Sequence, residues 1–264
     1  MTDQAAFPTE FPEINALLEA ILSGAREVLG ERFVGMVLHG SLASGGFDPQ
    51  RSDIDFLIIT REELPEETVA ALRDMHAGIT AEGMPWADHS EGSYIPLEAL
   101  RRYESACSAH PALRVDGSFE VDGHGPDWII QRHILREKGI VLAGPPVGDL
   151  IDPVGPNELL RAQLGILREW WTPPFANPER FNTAEYQAYA VLTMCRALYL
   201  LEFGEVATKA DAAAWAQGRF GDPWAGLIGW AASWRRGMQA QRFEDTLAFI
   251  DFTLAYFAKI QVDD

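Results

Sequence analysis

The sequence has few cysteines and no long apolar run. Its 264 residues include only two cysteines, Cys107 and Cys195, and they do not have the spacing of metal ligands. This argues against a disulfide-stabilised secreted domain, and we expect a reduced, cytoplasmic protein. No basic start followed by an apolar run resembles a signal peptide, and no stretch is apolar for long enough to span a bilayer. We therefore expect no membrane partner.

Basic residues are scarce as well. Lys and Arg together number 21 against 39 Asp and Glu, which gives a net charge of −18. A surface of this sign repels the phosphates of DNA and RNA, so we expect no nucleic-acid partner. It attracts a small polycationic substrate instead, although an acidity that only keeps the protein in solution would account for the same charge.

The sequence has no internal repeat and no low-complexity tail, and its residue types change once along the chain. Glycines and strand-like runs are frequent up to residue 155 and sparse from residue 156. We therefore expect an α/β domain over residues 1–155, with a small mixed sheet flanked by helices, and an all-α helical bundle over residues 156–264. We expect the protein to be a monomer.

Hydrophobic periodicity and turn residues predict the individual elements. In the first domain we expect helices over 12–29, 65–81 and 127–138, strands over 33–38, 53–59 and 140–142, a third strand near residues 91–95, and a hairpin of 113–115 with 119–121. In the second domain we expect helices over 157–171, 184–203, 210–219, 223–238 and 243–260, with a rigid proline-rich loop over 172–178.

A glycine-serine turn follows the first strand. The apolar run Phe33–Leu38 stops at Gly40-Ser41, where the backbone must bend or approach a ligand closely. Free backbone N–H groups and a hydroxyl at such a turn can hold a terminal phosphate.

A pair of aspartates begins the next strand. Residues i and i+2 of a strand point to the same face, so Asp53 and Asp55 project together while Ile54 and Phe56 enter the core. Two adjacent carboxylates repel each other unless a cation neutralises them, and hard oxygen ligands suit magnesium bound together with substrate phosphates. Either motif alone is ordinary turn and strand-end chemistry, but their combination indicates phosphoryl or nucleotidyl transfer.

These residues resemble a known signature. Gly40-Ser41, Gly45-Gly46 and Ser52-Asp53-Ile54-Asp55 look like the motif of the polymerase-β-like nucleotidyltransferases. Within that superfamily the chain resembles the aminoglycoside adenylyltransferases that modify streptomycin and spectinomycin, and the similarity continues through residues 136–145, 151–154 and 204–211. The resemblance implies magnesium, with two ions, and ATP as co-substrate. It also implies that Asp53 and Asp55 hold the metal and that Gly40, Ser41 and Ser52 contact the nucleotide.

The resemblance further implies a third carboxylate. It places a functional glutamate at Glu91, which would act as the base on the sugar hydroxyl. We also expect Glu91 to be a metal ligand. The sequence independently puts Glu91 at the start of a strand that would pair with the aspartate strand. Asp88 and Glu98 are local competitors for the role, and a solvated strand end is the alternative interpretation.

Two cations of the second domain are candidate phosphate ligands. Arg196 lies on an apolar helix and needs an anion, which is either a nucleotide phosphate or a structural carboxylate such as Glu202 or Asp251. Lys209 follows Thr208, the expected N-cap, and faces the positive end of the helix dipole. The resemblance places a phosphate-binding lysine there, and a surface contact with Glu205 is the alternative.

Together these features predict magnesium-dependent transfer of AMP from ATP to a hydroxyl of an aminoglycoside or aminocyclitol, with release of pyrophosphate. The drug-binding stretch of the streptomycin-modifying enzymes corresponds to residues 179–187, where we take Glu185 and Tyr186 as substrate-binding residues. No aspartate stands at the expected helix start. A nucleotidyltransferase acting on another small molecule or a protein side chain, and a catalytically idle nucleotide-binding module, therefore remain open as alternatives.

Overall fold

The computed structural model of the protein describes residues 8–105, 109–172 and 178–259. The chain forms two compact units. The first comprises Met1–Phe47 and Ser52–Pro153, and the second comprises Val154–Asp264 together with the short segment Asp48–Arg51. No helix in the described ranges is long and apolar enough to cross a membrane.

The first unit is a six-stranded mixed sheet with helices on both faces. Its elements are α1 (Pro12–Leu29), β1 (Phe33–Leu38), α2 (Gly40–Ser44), β2 (Ile54–Thr60), α3 (Glu66–Ala81), β3 (Ser90–Pro96), α4 (Leu97–Arg101), β4 (Ala109–Leu113), β5 (Phe119–Gly123), α5 (Asp127–Lys138), β6 (Ile140–Ala143) and α6 (Val147–Leu150). The strand order is β5-β4-β3-β2-β1-β6, in which only β2 and β3 run parallel.

The two faces of β2 belong to different cores. Phe56 and Ile58 pack in the cluster formed with α1 and α3, whereas Leu57 and Ile59 pack in the cluster that includes Leu135 of α5. All four β2 side chains are at most 1% exposed, because helices cover both faces of the strand. This two-sided burial explains why β2 is an unbroken apolar run after Asp55. It also fixes the strand that carries the aspartates.

The second unit is helical. It contains α7 (Pro156–Ile166), followed by a π-helical turn over Leu167–Trp171, and then α8 (Ala184–Phe203), α9 (Lys209–Phe220), α10 (Trp224–Ser233) and α11 (Phe243–Phe257). Helix α8 lies in the middle of one large core, since residues on most of its circumference are buried against α9, α10 and α11. The hydroxyl of Thr183 caps α8 by accepting the N–H of Tyr186. The expected fold class, an α/β domain followed by an all-α region, is confirmed.

Several expected boundaries differ from the structure. The hairpin pairs Ala109–Leu113 with Phe119–Gly123, so the expected residues 114 and 115 lie in the turn, which is closed by the Arg114 N–H donating to the Ser118 carbonyl. The helix expected over 223–238 ends at Ser233, because the next residues leave the helix and Arg236 hydrogen-bonds the Gln50 carbonyl. Residues 173–177 of the expected rigid loop, Cys107 and Ile260 lie outside the described residues.

Arg132 of α5 is a buried cation of the first unit. Its side chain is only 3% exposed. Its guanidinium donates to the carbonyls of Ala99, Leu100 and Trp128. The charge is therefore satisfied by the carbonyl oxygens in and near the short helix α4, and Arg132 has a structural role.

His76 makes the first unit sensitive to acid. The ring is 3% exposed, stacks on Phe56 and Phe119, and its Nε2 lies 2.7 Å from the Tyr94 hydroxyl. Burial lowers the pKa of His76 from 6.5 to about 4. Between those pH values the unfolded chain binds a proton that the folded chain does not, so the free energy of unfolding falls as pH falls from 6.5 to 4.

We expect this histidine to contribute roughly 1.4 kcal/mol per pH unit to that decline. The variant His76→Gln keeps a group that can hydrogen-bond Tyr94 but does not titrate. Denaturant unfolding at pH 7, 6 and 5 should therefore give a shallower pH dependence for the variant, whatever its stability at pH 7. An unchanged slope would contradict a buried neutral imidazole.

Candidate active site

The turn after β1 brings the backbone against a carboxylate. His39 is extended, Gly40 has φ +64°, and Gly40–Ser44 forms one short helical turn. A Cβ placed on Gly40 would lie 1.7 Å from Oδ2 of Asp55. Only glycine allows this approach, since any side chain would overlap the carboxylate and the positive φ disfavours L-residues. The glycine expected from the sequence therefore holds the turn against Asp55.

Three carboxylates gather at the start of the parallel pair β2 and β3. Asp55 stands opposite Glu91 in the ladder, as the expected strand pairing requires, and Asp53 immediately precedes β2. Glu91 as a whole is accessible to solvent, while its carboxyl group packs against Asp55. Local burial, the negative charges of Asp55 and Asp53 and a hydrogen bond with Asp55 raise the pKa of Glu91 to about 7. The cluster thus concentrates negative charge at one point.

His39 also belongs to this cluster, and sequence reasoning gave it no role. Its backbone N–H donates to the Asp55 carbonyl over 2.9 Å. Burial lowers the pKa of its imidazole to about 4, against the opposing effects of Glu91 and of a hydrogen bond with the Phe56 backbone. The ring is therefore neutral at pH 7 and supports the start of β2. Its position directly before Gly40 was the only signal in the sequence.

Ser41 presents an unused hydroxyl. Its Oγ is buried and has no hydrogen-bond partner among the described residues. A buried hydroxyl without a partner costs free energy, and this cost is removed when a ligand oxygen binds. Ser52 lies directly before Asp53 in the sequence. Gly40, Ser41, Asp53, Asp55 and Glu91 are thus brought together within the first unit.

The donor set of this cluster fits magnesium. Asp53, Asp55 and Glu91 offer only carboxylate oxygens, the ligands that a hard cation prefers. Among the described residues, no group of three or more Asp, Glu, His or Cys side chains is placed to hold a metal ion by itself. Magnesium does not require one, because it is usually held by one or two carboxylates together with substrate phosphates and water.

The candidate phosphate ligands of the second unit meet at Tyr189. Lys209 is the first residue of α9, which is capped by Thr208 as expected, and its Nζ lies 5.4 Å from the centre of the Tyr189 ring. Burial lowers the pKa of Arg196, an effect that Tyr189 opposes. Neither Glu202 nor Asp251, the alternative partners considered above, is among the groups that act on the pKa of Arg196.

The candidate substrate residues lie at the start of α8. Glu185 is exposed in the first turn, and Tyr186 follows it. The Tyr186 hydroxyl accepts a hydrogen bond from Arg180 over 3.2 Å, and the same guanidinium lies 4.4 Å from the centre of the Trp170 ring. The Tyr186 ring is 5.7 Å from that of Tyr189, the residue that contacts Lys209. Sequence reasoning missed Tyr189 and Arg180.

The mixed sheet and its carboxylate cluster have the features expected of a nucleotidyltransferase. Comparison with known families indicates the same class. Residues 22–103 match the family described as nucleotidyltransferase domain. Residues 149–259 match the family described as aminoglycoside adenylyltransferase, C-terminal domain. The chain is thus similar to nucleotidyltransferases in its first part and to aminoglycoside adenylyltransferases in its C-terminal part, which confirms the resemblance seen in its sequence.

Individual relatives extend over most of the chain. Aminoglycoside (3'') (9) adenylyltransferases of Shigella flexneri and Escherichia coli are each 29% identical over 230 residues, which cover 78% of this chain and 79% of the relative. The crystal structure of spectinomycin adenyltransferase AAD(9) from Enterococcus faecialis with ATP and spectinomycin is similar with a TM-score of 0.73. That match has 16% identity and covers 92% of this chain and 99% of the other, so it shows a common fold.

Proposed function

We propose that the protein transfers AMP from ATP to a hydroxyl of an aminoglycoside or aminocyclitol and releases pyrophosphate. The observation that carries this proposal is the cluster of Asp53, Asp55 and Glu91 packed against the Gly40-Ser41 turn. The relatives named above are aminoglycoside adenylyltransferases, and the structural neighbour holds ATP and spectinomycin. These names support the choice of substrate.

The carboxylates divide the work of the reaction. Asp53 and Asp55 would hold two magnesium ions. The metal would supply positive charge to the phosphates of ATP. Glu91 is the general base. Its raised pKa suits it to accept the proton of the acceptor hydroxyl as that oxygen bonds to the α-phosphorus and the bond to pyrophosphate breaks. Glu91 can also contribute as a metal ligand.

The nucleotide would be held by polar and basic side chains from several parts of the sequence. Ser41 has an unused buried hydroxyl, and Arg196 is a partly buried cation whose pKa is lowered by burial. Gly40 and Ser52 flank the same carboxylates, and Lys209 stands in the first turn of α9. Hydroxyl, guanidinium and ammonium groups all donate to phosphate oxygens.

The acceptor would be a cation. The net charge of −18 and the exposed Glu185 favour a substrate with ammonium groups. Tyr186 offers an aromatic face beside Glu185, yet the positive charge of Arg180 is already bound to its hydroxyl. We infer that this region favours drugs that place few charges near Tyr186.

The test is to incubate the protein with ATP, magnesium and a panel of aminoglycosides and to follow adenylylated drug by mass spectrometry and pyrophosphate by a coupled assay. We expect both products in equal amounts with at least one drug. Release of pyrophosphate without a modified drug would favour another small molecule or a protein side chain as acceptor. Absence of any transfer, with ATP still bound, would favour the idle module.

The matched variant for this assay is Glu91→Gln. If Glu91 takes the proton of the acceptor, kcat should fall by at least ~10²-fold while the KM for ATP changes little. A variant whose main defect is weak ATP binding would make Glu91 a metal ligand only. Unchanged kinetics would remove Glu91 from the mechanism and point to Asp88 or Glu98.

A further inference from the structure

A four-residue segment of the first half of the chain belongs structurally to the helical unit. Asp48–Arg51 lies in sequence between the Gly40-Ser41 turn and Asp53, but it packs with residues 154–264. The Gln50 carbonyl accepts the backbone N–H of Arg236 over 3.1 Å. Nη1 of Arg51 donates a hydrogen bond to the Ala232 carbonyl over 2.8 Å. Both backbone and side chain therefore attach this segment to the C-terminal end of α10 and the residues after it.

The segment and Arg235 together carry more positive charge than negative. Oδ2 of Asp48 lies 3.4 Å from Nε of Arg51 and 3.2 Å from Nη2 of Arg235. Two guanidinium groups thus share one carboxylate, which leaves one positive charge in excess. In a protein with a net charge of −18, a local excess of this sign is unusual and indicates an anionic ligand.

Arg51 also lines a cleft. The cleft has a volume of ≈ 160 Å³, and its other polar lining residues are Lys209 and Gln217. The remaining lining is apolar, from alanines and Leu192. Since a single water needs only about 10–15 Å³ on this measure, the cleft has room for a phosphate group. Two basic side chains, one from each of two distant parts of the sequence, therefore face one cavity of the second unit.

We propose that Arg51 binds the polyphosphate of ATP together with Lys209, and that this contact positions Asp53. The proposal rests on the proposed function, because it takes ATP as the ligand. Arg51 and Asp53 are separated by Ser52 alone, so their Cα atoms are at most about 7 Å apart. A polyphosphate that fixes Arg51 thereby restricts the aspartate that would hold the metal. Arg235 is a positioning residue, since it draws Asp48 away from full neutralisation of Arg51.

The ion pairs of Asp48 with Arg51 and Arg235 contribute too little to the stability of the fold to explain why they are there. The side chains of Asp48, Arg51 and Arg235 are 22%, 26% and 37% exposed. Ion pairs this accessible contribute little to folding. Their value lies in holding Arg51 at the cleft, and a substitution there should change ligand binding more than it changes stability.

The first experiment measures binding of inorganic tripolyphosphate by calorimetry in magnesium-free buffer, without nucleotide or drug. Arg51→Gln should weaken binding at least ~10-fold, the value of one charge-assisted phosphate contact, and Arg51→Lys should recover part of it. Arg219→Gln removes an exposed arginine from the same unit and should bind like the wild type. Equal affinities of the Arg51→Gln and Arg219→Gln variants would overturn the proposal.

The second experiment tests the positioning role of Arg235. In Arg235→Gln, Asp48 has one guanidinium partner fewer and neutralises Arg51 more fully, so tripolyphosphate binding should weaken several-fold. Adding Asp48→Asn in the same chain should restore binding, because it frees Arg51 again. A double variant as weak as Arg235→Gln would show that Arg235 only maintains the fold of the loop and would overturn its assigned role.

Kinetics separate this inference from the proposed function. If AMP transfer occurs, Arg51→Gln should raise the KM for ATP and also lower kcat, because Asp53 is less well placed, whereas the KM for the drug should change little. Transfer with an unaltered ATP dependence would leave the proposed function standing and remove Arg51 from it. The protein could instead adenylylate no drug while Arg51→Gln still loses tripolyphosphate binding. That result would support the anion site at Arg51 and contradict the proposed substrate.

Discussion

Asp55→Asn should abolish most of the activity and make the protein more stable in the absence of magnesium. Asp55 lies opposite Glu91 and raises the pKa of that group, which shows that the two carboxyl groups disfavour each other's ionisation. An amide at position 55 removes this repulsion and raises the free energy of unfolding. It also removes a carboxylate that would hold magnesium, so turnover should fall by at least ~10²-fold.

The measurements are AMP transfer and denaturant unfolding, each with and without magnesium and ATP. Wild-type protein should gain stability when both ligands are added, and Asp55→Asn should gain much less. Asp88→Asn removes an exposed carboxylate a few residues before Glu91 and should behave like the wild type in both assays. Near-normal transfer by Asp55→Asn would reject the carboxylate cluster as the catalytic centre.

The sequence was sufficient to place the carboxylates because local rules decide their geometry. The run from Phe56 to Ile59 is apolar on both faces, which requires a central strand, and the period of two then directs Asp53 and Asp55 to one side. Glu91 was identified from the family resemblance and from a strand pattern. The strand itself begins one residue earlier than expected, at Ser90. The structure adds the register, in which Glu91 stands opposite Asp55.

Features that depend on distant contacts could not be predicted in this way. An arginine on a helix gives no sequence sign of burial, and the carbonyls of Ala99 and Leu100, more than thirty residues away in sequence, explain why Arg132 is buried. The early end of α10 has the same origin, because Arg236 leaves the helix to bind Gln50. Such tertiary hydrogen bonds override local helix preference, and no single-sequence pattern encodes them.

The same limit applies to the charges of the candidate site. Lys209 and Arg196 were identified because a cation in an unfavourable local place requires an explanation. Arg51 gave no such signal, since an arginine in a loop beside Asp48 is ordinary. Its importance appears only when the structure places it in a cleft with Lys209.

Of the glycine-to-alanine substitutions in the first unit, Gly40→Ala should be the most damaging. The added Cβ would lie 1.7 Å from Oδ2 and 2.5 Å from Cγ of Asp55, so the turn and the carboxylate cannot both keep their positions. The φ of +64° adds a backbone cost of about 1–2 kcal/mol. We expect loss of at least ~10²-fold in activity, since small displacements of catalytic groups have effects of this size.

Gly45→Ala separates the two causes. Gly45 ends the same helical turn with φ +75°, yet nothing lies within 4 Å of its Cβ position. It should therefore incur the backbone cost alone, with a modest loss of stability and most of the activity retained. Activity and unfolding measured side by side should show a clear excess of damage at Gly40. Equal losses in the two variants would mean that backbone conformation, and not contact with Asp55, requires glycine at the turn.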